Sequence, residues 1–579
     1  MPRQPIRIGN CSGFYGDRLS AMREMLEGGQ LDVLTGDYLA ELTMLILFRS
    51  KAKDANKGYA STFLKQLEDC LGLAVDKGVR IVSNAGGLNP AGCAQAVRDL
   101  AGRLGIEVNV AHVEGDDLLP RLGELELRNM DTGAALPGHP VTANAYLGAF
   151  GIATALQSDA QVVITGRVTD ASLVVGPAAW WHEWSPADYD QLAGAVVAGH
   201  VLECGAQATG GNYSFMSEVP GLEHVGFPLA EVAADGSSVI TKHNGSGGLV
   251  SVGTVTAQLL YEIGAPLYLG PDVITDFSTI ELTQQDADRV AISGVRGLAP
   301  TDTVKVSVNM VGGLRNSVTF VLTGLDIEAK AALVQRQLQH VLDAATSYNV
   351  HLEATTTEDP PTNPQAVSRL TFTVKGSDPA VLGRAFSSAC VEIALASYPG
   401  CTLTAPPGDA TPYGVHWPGA VDGSEVEHVV VLADGSRLPI ASPETAPFSD
   451  ERVEDGGQAT SGDEYAGERR SVPLGVAYGA RSGDKGGDAN IGVWARDEVG
   501  WPWLRDELTV ERLRELLPET AELPIDRYEL PNLRAVNFVV HGLLGEGVSS
   551  GTRLDPQAKG LGEWLRARVV ELPVELIQT

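Results

Sequence analysis

Residues 481–492 combine two cations, Arg481 and Lys485, with acidic and amide side chains and several glycines. Glycine adopts backbone angles that other residues avoid, so backbone N–H groups and the two cations could surround an anion. The flanking apolar runs, residues 472–478 and 489–495, predict a strand on either side. We therefore predict a polar, anion-facing loop between two strands; a long hairpin turn with solvated charges is the alternative. The candidate ligand-binding residues here are Arg481, Asp484, Lys485, Asp488 and Asn490.

A second group of candidates follows from a repeated pattern in the first 175 residues, in which a short apolar run precedes a polar loop containing glycine, usually with a helical pattern after it. The apolar runs are residues 6–10, 31–34, 79–83, 107–111 and 161–164. Alternation of strand and helix predicts a parallel sheet with helices on its faces, here an open, doubly wound, Rossmann-like α/β domain, with a barrel as the alternative. The loops after parallel strands emerge at one edge, where ligands bind.

The polar side chains of these loops can transfer protons and hold anions. Asp37, His112 and Asp170 are candidate acids or bases, and the planar fork of Arg167 suits a carboxylate or carbonyl. Helix capping by Asp17 and Asp170 is an alternative structural role. Because these loops are expected to converge, we predict a binding site at this edge. Further candidate ligand-binding residues there are Ser12, Gly13, Asp17, Tyr38, Asn84, Gly86 and Gly87.

The same loops permit a divalent-metal variant of the site. Carboxylate oxygens are the ligands that Mg²⁺ and Mn²⁺ prefer. His112 and the carboxylates of Glu114, Asp116 and Asp117 could hold such an ion together with Asp17 or Asp37, although this spacing is not a specific metal signature.

Residues 199–250 add two more polar, glycine-rich segments. The first contains Glu203 and Gln207 as candidate ligand-binding residues, and Cys204, which is either a nucleophile or an inert buried thiol. The second precedes a helix predicted over residues 249–263, and a glycine loop before a helix N-terminus can hold an anion. Its candidate ligand-binding residues are Lys242, Asn244, Gly245, Gly247 and Gly248.

Beyond residue 290 the pattern changes from alternating α/β to ββαββα, which is typical of a two-layer α+β structure and occurs twice. We predict a large α/β domain over residues 1–290, an α+β continuation over 291–430, an acidic flexible linker over 431–470 and a small α+β domain over 471–579. The glycine loop of residues 541–547 is expected to face the loop of residues 481–492.

The net charge of −31 argues against nucleic acid and against anionic membranes as partners. The six cysteines are widely spaced, which favours free thiols in a reducing compartment. No signal peptide and no membrane-spanning stretch is visible, so we expect a cytoplasmic protein.

Several motifs resemble those of the acyclic terpene utilisation (AtuA-like) family. They are Ser12-Gly-Phe-Tyr-Gly-Asp17, Thr35-Gly-Asp-Tyr38, Asn84-Ala-Gly-Gly87, Gly166-Arg-Val-Thr-Asp170, Glu203-Cys-Gly-Ala-Gln207 and Arg481-Ser-Gly-Asp-Lys-Gly-Gly-Asp-Ala-Asn490. The resemblance covers nearly the whole chain and implies a large N-terminal domain and a C-terminal domain with a ferredoxin-like topology. It does not imply an iron–sulfur centre.

The resemblance also implies a setting in the breakdown of branched carboxylic acids and acyclic terpenoids, beside acyl-CoA carboxylases. It therefore implies an acyl-CoA or carboxylic-acid ligand. The expected function is an enzyme with lyase, hydratase or hydrolase chemistry, in which Arg167 holds the carboxylate or thioester and the glycine loop after Lys242 holds the phosphates of the CoA moiety. A non-catalytic subunit that partners an acyl-CoA carboxylase is the alternative. A homo-oligomer is expected in either case.

Overall fold

The chain up to residue 302 forms short strands and helices in the computed structural model, which describes residues 3–448, 465 and 467–577. The strands are β1 Ile6–Asn10, β2 Val33–Gly36, β3 Arg80–Ser83, β4 Val110–Glu114, β5 Arg128–Asn129, β6 Pro140–Ala145, β7 Val162–Thr165, β8 Pro228–Val232, β9 Ser238–Lys242, β10 Leu267–Leu269, β11 Ile274–Asp276, β12 Glu281–Asp286, β13 Arg289–Ser293 and β14 Arg296–Leu298. The helices are α1 Ala21–Gly28, α2 Glu41–Lys53, α3 Ser61–Lys77, α4 Pro90–Leu104, α5 Phe150–Gln157, α6 Ser172–His182, α7 Tyr189–Glu203 and α8 Val252–Leu259.

Five of these strands form a parallel block in the order β1-β2-β3-β7-β4. They are the strands that the sequence predicted from the repeated pattern of apolar run and polar loop. Their carboxyl ends lie at one edge of the sheet, so the loops that follow Asn10, Gly36, Ser83, Glu114 and Thr165 are brought to that edge.

The rest of this sheet is antiparallel, which corrects the prediction of a doubly wound parallel sheet. Strands β8, β9, β13 and β12 extend it beyond β1, and each pairs antiparallel with its neighbours. The physical reason is the length of the connections. The segment 233–237 between β8 and β9, like residues 287–288 between β12 and β13, is too short for the crossover that a parallel pair requires.

Helices α1, α3 and α4 cover the parallel block with an apolar core. Met22 and Leu26 of α1 and Phe63 and Leu67 of α3 are each separated by four residues, so both members of each pair lie on one helix face, and all four are buried. Helices α5, α6, α7 and α8 form a second packed group.

The chain divides into two compact units, of which the first contains residues 1–309, 416–548 and 555–579 and the second residues 310–415 and 549–554. The elements of residues 303–439 are β15 Thr303–Thr323, α9 Ile327–Leu342, β16 Ser347–Glu353, β17 Val367–Gly376, α10 Phe386–Glu392, β18 Thr402–Leu403, β19 Thr411–Asp422, β20 Val429–Val431 and β21 Arg437–Pro439. Within the second unit, β17 pairs antiparallel with β15 and β16, and α9 and α10 cover the sheet with an apolar core.

One strand replaces the two that the sequence predicted at residues 304–309 and 317–322. Strand β15 runs through 21 residues without a turn, so the predicted ββαββα order of this region becomes βαββα, followed by the two-residue strand β18 and the 12-residue strand β19. The Gly312–Gly313 pair lies inside this strand. A Cβ at Gly312 would come within 2.4 Å of the Tyr413 ring, so glycine allows this ring to lie against the strand.

Strands β20 and β21 extend the large mixed sheet beyond β4 as an antiparallel hairpin. The first part of the predicted acidic linker, residues 431–470, therefore contains a strand. Residues 449–464 and 466 of this predicted linker lie outside the described residues.

The C-terminal region forms a four-stranded antiparallel sheet in the order β23-β24-β26-β25. Its elements are β22 Arg469–Pro473, β23 Tyr478–Lys485, β24 Asp488–Ala495, α11 Trp501–Glu507, α12 Val510–Leu516, β25 Ile525–Leu530, β26 Ala535–Val540, α13 Leu561–Ala567, β27 Val569–Pro573 and α14 Val574–Ile577. The sheet and the helices that cover it have a separate apolar core and follow the order ββααββα, because two helices, α11 and α12, stand where one was predicted.

Candidate functional site

Arg167 lies in the turn after β7 with 3% of its surface exposed. Its Nη1 donates to Asp170 Oδ1 at 2.9 Å and to the Leu39 carbonyl at 3.4 Å, and its Nη2 donates to Tyr146 Oη at 3.0 Å. The guanidinium carbon is 4.3 Å from the centre of the Tyr146 ring. A buried cation in contact with a carboxylate and an aromatic ring is the central feature of this site.

Asp37 occupies the loop after β2 and is also buried. Its Oδ1 accepts from Asn84 Nδ2 at 2.6 Å and from the Leu39 N–H at 2.9 Å. Burial, and then the charge of Asp170, raise the pKa of the Asp37 carboxyl, while Arg167 and the Asn84 hydrogen bond oppose that rise. The loops after β2, β3 and β7 therefore meet, as predicted from their positions at one sheet edge.

Glu203, the last residue of α7, belongs to the same electrostatic environment. Burial raises the pKa of its carboxyl well above the ordinary value, the charges of Asp170 and Glu262 raise it further, and Arg167 and Lys485 lower it. His200, one turn earlier, has its Nδ1 3.2 Å from Glu203 Oε1, and burial lowers the pKa of this imidazole to about 4. His200 is therefore neutral at physiological pH.

The neighbouring thiol of Cys204 is not activated. Burial raises its pKa well above the ordinary value, and the nearby carboxylate of Glu203 raises it further. The thiolate form needed for nucleophilic attack is thus suppressed, which favours the inert thiol over the nucleophile. The segment touches the loop after β1, because a Cβ at Gly13 would lie 2.6 Å from the Cys204 carbonyl carbon.

Residues 481–492 form a β-hairpin, which corrects the prediction of a loop between two strands. Strands β23 and β24 pair from Tyr478↔Ala495 to Lys485↔Asp488, and only Gly486 and Gly487 lie between them. Two glycines within the strands allow the hairpin to lie close to residues 260–261. A Cβ at Gly483 would come within 2.4 Å of the Tyr261 ring, and one at Gly492 within 2.5 Å of Leu260. The predicted strand over residues 472–478 is instead the end of β22 and a 3₁₀ turn.

The hairpin docks on the segment after α8 of the large domain. Asn490, fully buried, donates to the Leu260 carbonyl at 2.7 Å and accepts from the Glu262 N–H at 2.9 Å. Arg481 stacks on the Tyr261 ring at 4.3 Å and donates to Gln207 Oε1. Lys485 Nζ donates to the Glu262 carbonyl at 3.3 Å, which brings a second cation to the carboxylates.

We call Asp37, Arg167, Asp170, Glu203, Glu262 and Lys485 the Arg167 cluster. Glu262 was missed by sequence reasoning, as were the aromatic neighbours Tyr146 and Tyr268, because their segments carry no glycine-rich motif. Glu262 has φ +57°, an unusual backbone conformation for a glutamate, and its backbone is held on both sides by the C-terminal hairpin.

Comparison with known families agrees with this architecture. The family described as acyclic terpene utilisation family protein AtuA matches residues 6–432, and the AtuA ferredoxin-like domain matches residues 473–571. The chain belongs to the AtuA family. Comparisons with curated proteins and with solved structures find no match. Among the described residues of this AtuA family chain, no helix is both long enough and apolar enough to cross a bilayer.

His112 is not part of the Arg167 cluster. Its Nε2 lies 2.9 Å from Glu114 Oε1, and the other oxygen of Glu114 accepts from Arg437 Nη1 at 2.8 Å. Burial lowers the pKa of the His112 imidazole, and the charges that act on it come from Glu114, Arg98 and Arg437. The structure therefore places this predicted catalytic base in a different environment from Asp37 and Asp170.

The predicted metal ligands are divided between separate partners. Asp116 Oδ2 accepts from the Arg167 N–H and from Asn144 Nδ2, both at 2.8 Å, and Glu114 is tied to His112 and Arg437. Asp117 is exposed and accepts from the Leu119 N–H. Within the described residues, no group of three His, Cys, Asp or Glu side chains could hold a metal ion. The metal variant thus finds no geometric support.

Asp116 instead supports the turn that carries Arg167. The pKa of its buried carboxyl is raised to about 7 by burial. A Cβ at Gly166 would lie 2.5 Å from Asp116 Oδ1, so glycine is required for the carboxyl to reach the turn. Asp170, predicted as a possible helix cap, pairs with Arg167 instead, and α6 begins at Ser172.

The Lys242 loop, which the sequence predicted to hold phosphate, has partners within the chain. Lys242 Nζ is 3.1 Å from Asp288 Oδ2 and donates to the Ser246 carbonyl at 2.8 Å. Ser251 caps the N-terminus of α8, which begins at Val252 rather than 249. Added Cβ atoms at Gly247 and Gly248 would each come within 2.5 Å of backbone carbonyl oxygens. Gly245 has φ +79° in the turn, and Asn244 beside it is exposed.

The remaining candidates mainly shape the loops. Ser12 Oγ donates to the Phe14 carbonyl, and Asp17 accepts from the Gly13 and Arg18 N–H groups instead of capping α1. Tyr38 is buried and donates to Gln66 Oε1. Gly86 packs against the Thr165 carbonyl and Gly87 has φ +52°.

The two acidic candidates of the hairpin, Asp484 and Asp488, have neighbours outside the Arg167 cluster. Asp488 accepts from His541 Nδ1 at 2.8 Å and from the Gly542 N–H at 2.7 Å, so the hairpin does face the loop of residues 541–547. The charge of Asp484 acts on Tyr261, whose pKa is raised mainly by burial.

Proposed function

We propose that this protein is an enzyme that performs acid–base chemistry on a branched carboxylic acid or its acyl-CoA thioester in the breakdown of acyclic terpenoids. The observation that carries the proposal is the burial of Arg167 among carboxyl groups, two of which, Asp37 and Glu203, have raised pKa values. Membership of the acyclic terpene utilisation family supports the choice of substrate class.

The cluster contains the parts that a hydratase or lyase needs. A carboxyl group with a raised pKa keeps its proton near neutral pH and can donate it, whereas a carboxylate paired with a cation can accept one. We assign Asp37 or Glu203 as the proton donor and Asp170, which contacts Arg167 at 2.9 Å, as the acceptor. In a hydration, Asp170 would take a proton from water, the resulting hydroxide would add to the β-carbon, and the donor would protonate the α-carbon.

Arg167 would stabilise the negative charge that develops on the carboxylate or thioester oxygen, because its planar guanidinium offers several N–H donors in fixed directions. Lys485 adds a second positive charge to the same environment. If the substrate is a thioester, CoA arrives as part of the substrate, and a phosphate at the Lys242 loop would compete with Asp288 for Lys242.

The test is hydrogen exchange in D₂O, which detects acid–base chemistry whatever the product is. Purified protein is incubated with branched α,β-unsaturated and saturated acids and with their CoA thioesters, and α-deuteration and new signals are followed by NMR. We expect exchange or conversion of at least one compound, and a loss of at least a hundredfold in the variant that lacks the donor, Asp37→Asn or Glu203→Gln. The matched control is Asp159→Asn, since Asp159 is exposed and pairs with Arg80.

Absence of binding and of exchange for every acid and thioester would contradict the proposal. Equal activity in Asp37→Asn and wild type would contradict the role of Asp37. A partnership with an acyl-CoA carboxylase and assembly into a homo-oligomer stay predictions, which co-purification and native mass spectrometry test.

A further inference from the structure

A cavity of about 200 Å³ lies beside the Arg167 cluster in the first unit, and no motif of the sequence pointed to it. Its walls include Tyr146, Leu147, Phe150, Asp272, Val304 and His428. At about 30 Å³ for each non-hydrogen atom, the volume suits a ligand of roughly seven such atoms. The lining is mainly apolar, so the favoured occupant is a short hydrocarbon chain.

One end of this cavity carries a buried carboxyl group. Asp272 Oδ2 accepts from the Ala149 N–H at 2.7 Å, at the start of α5. Gly148 makes this approach possible, because a Cβ there would lie 2.2 Å from Asp272 Oδ1. Burial raises the pKa of Asp272 to about 6, so near neutral pH its carboxylate predominates and can accept a further hydrogen bond.

His428 adds a second buried polar group to the wall. Its ring packs on Gly151, and its buried Nε2 has no hydrogen-bond partner among the described residues. Burial lowers the pKa of the imidazole to about 4, so it is neutral and does not pair electrostatically with Asp272. A neutral imidazole can donate or accept a hydrogen bond, whereas the Asp272 carboxylate only accepts. Both groups therefore suit a ligand hydroxyl, which can donate to the carboxylate.

Tyr146 joins the cavity to the Arg167 cluster. It lines the cavity and accepts from Arg167 Nη2 at 3.0 Å. The next residue, Leu147, is hydrogen-bonded to the Arg167 turn on both sides: its N–H donates to the Arg167 carbonyl at 3.2 Å, and its carbonyl accepts from the Thr169 N–H at 3.0 Å. Tyr146 and Leu147 thus form a wall that the cavity shares with the Arg167 turn.

We propose that this cavity binds a short alkyl chain of about seven non-hydrogen atoms that carries a hydroxyl group, with the hydroxyl donating to Asp272. Two sources share this chemistry: the distal end of the substrate whose acyl group lies at Arg167, or a separate small alcohol. The first source rests on the proposed function, whereas binding of an alcohol does not.

The probes are 1-hexanol and 1-methoxypentane, which have the same number of non-hydrogen atoms but differ in the hydroxyl donor. Saturation-transfer NMR on the full-length protein measures their binding. We expect 1-hexanol to bind at least fivefold more tightly than 1-methoxypentane, and the difference to shrink in Asp272→Asn, whose amide still accepts from Ala149. Val304→Phe fills the cavity and should abolish binding of both probes; Val311→Phe, the same change at an exposed position of the second unit, should leave binding intact.

Inhibition kinetics then identify the source. Competition between 1-hexanol and the acyl substrate supports the distal end of the substrate, while simultaneous binding supports a separate alcohol. Failure of wild type to bind 1-hexanol, or equal binding by Val304→Phe, would overturn the cavity proposal. Such a failure is distinguishable from failure of the proposed function, in which 1-hexanol binds but no acid or thioester is bound or converted.

Discussion

The carboxyl ends of two adjacent strands, β7 and β4, carry the same kinds of side chain but belong to different environments. The turn after β7 has Arg167 and Asp170, whereas β4 ends in His112 and Glu114. Within each pair, the two side chains contact each other at 2.9 Å. Only the first pair shares an electrostatic environment with Asp37 and Glu203.

The position of each strand in the sheet explains the difference. Strand β7 lies between β3 and β4 in the parallel block, so its turn meets the loops after β2 and β3. Strand β4 has the antiparallel strand β20 on its other side, and the following strand β21 supplies Arg437 to Glu114. A charged pair at a strand end therefore indicates a site only where several parallel strands converge.

The largest expected effect is the loss of activity in Arg167→Met. The substitution removes the buried cation that faces Asp170 and the reacting oxygen, so we expect at least a thousandfold loss in kcat/KM, equivalent to about 4 kcal/mol. The exchange assay measures it, with circular dichroism to confirm folding. Retention of a tenth of the wild-type activity in folded Arg167→Met would remove the distinction between the two strand ends.

The second prediction concerns pH and the support of the β7 turn. Asp116 has a pKa of about 7 against an ordinary 3.8, so the folded state keeps a proton that the unfolded state loses. Its contribution to the free energy of unfolding is present below about pH 4 and is lost as the pH rises to about 7. Between these pH values, the free energy of unfolding of Asp116→Asn should therefore fall by up to roughly 4 kcal/mol less than that of wild type. The free energy of unfolding is measured by urea unfolding at each pH. If it changed equally with pH in Asp116→Asn and in wild type, Asp116 would not be the group responsible.

The third prediction tests the hairpin that brings Lys485 to the cluster. Asn490→Ala leaves the buried Leu260 carbonyl and Glu262 N–H unpaired, so we expect a loss of about 3 kcal/mol in the free energy of unfolding. Substrate affinity should fall as well, because the Glu262 backbone loses one of its two hydrogen bonds to the hairpin. Asn56→Ala, at an exposed turn, should change stability by less than about 0.5 kcal/mol. Unchanged affinity in folded Asn490→Ala would separate the hairpin from the site.

The fourth prediction tests whether Gly483 is needed for the hairpin to lie close to the Tyr261 ring. Gly483→Ala places a methyl group against the Tyr261 ring, so we expect destabilisation of about 2 kcal/mol. Gly102→Ala, in the last turn of α4 with open space around it, should instead stabilise the protein by about 0.5–1 kcal/mol. Thermal unfolding measures both. Stabilisation by Gly483→Ala would mean that the hairpin does not lie against Tyr261.

The smallest expected effect belongs to the β4 end. His112→Asn and Arg437→Met should each retain activity within about twofold, since neither side chain contacts the Arg167 cluster. The exchange assay is the measurement. A hundredfold loss in folded His112→Asn would restore this residue as a catalytic candidate.

Much of the fold was predictable because short-range patterns specify it. Apolar runs followed by glycine loops located the five parallel strands, and the ββαββα order located the C-terminal sheet. The long strand β15 and the antiparallel flanks were not predicted. Gly312 and Gly313 lie inside β15, where glycine continues the strand. Strands β8, β9, β12 and β13 were not recognised in the sequence, so the short connections that require antiparallel pairing were not recognised either.

For the site, the sequence by itself determined that Asp37, Arg167, Asp170 and Glu203 are polar residues in loops or at helix ends, where parallel strands bring side chains together. The tertiary structure alone decided which of them share one environment. It excluded His112, assigned Lys242 to Asp288, and added Glu262 through contacts with a hairpin more than 200 residues away in sequence. The physical reason is that pKa shifts and buried ion pairs depend on distances in space, which the sequence sets only through the packing of distant elements.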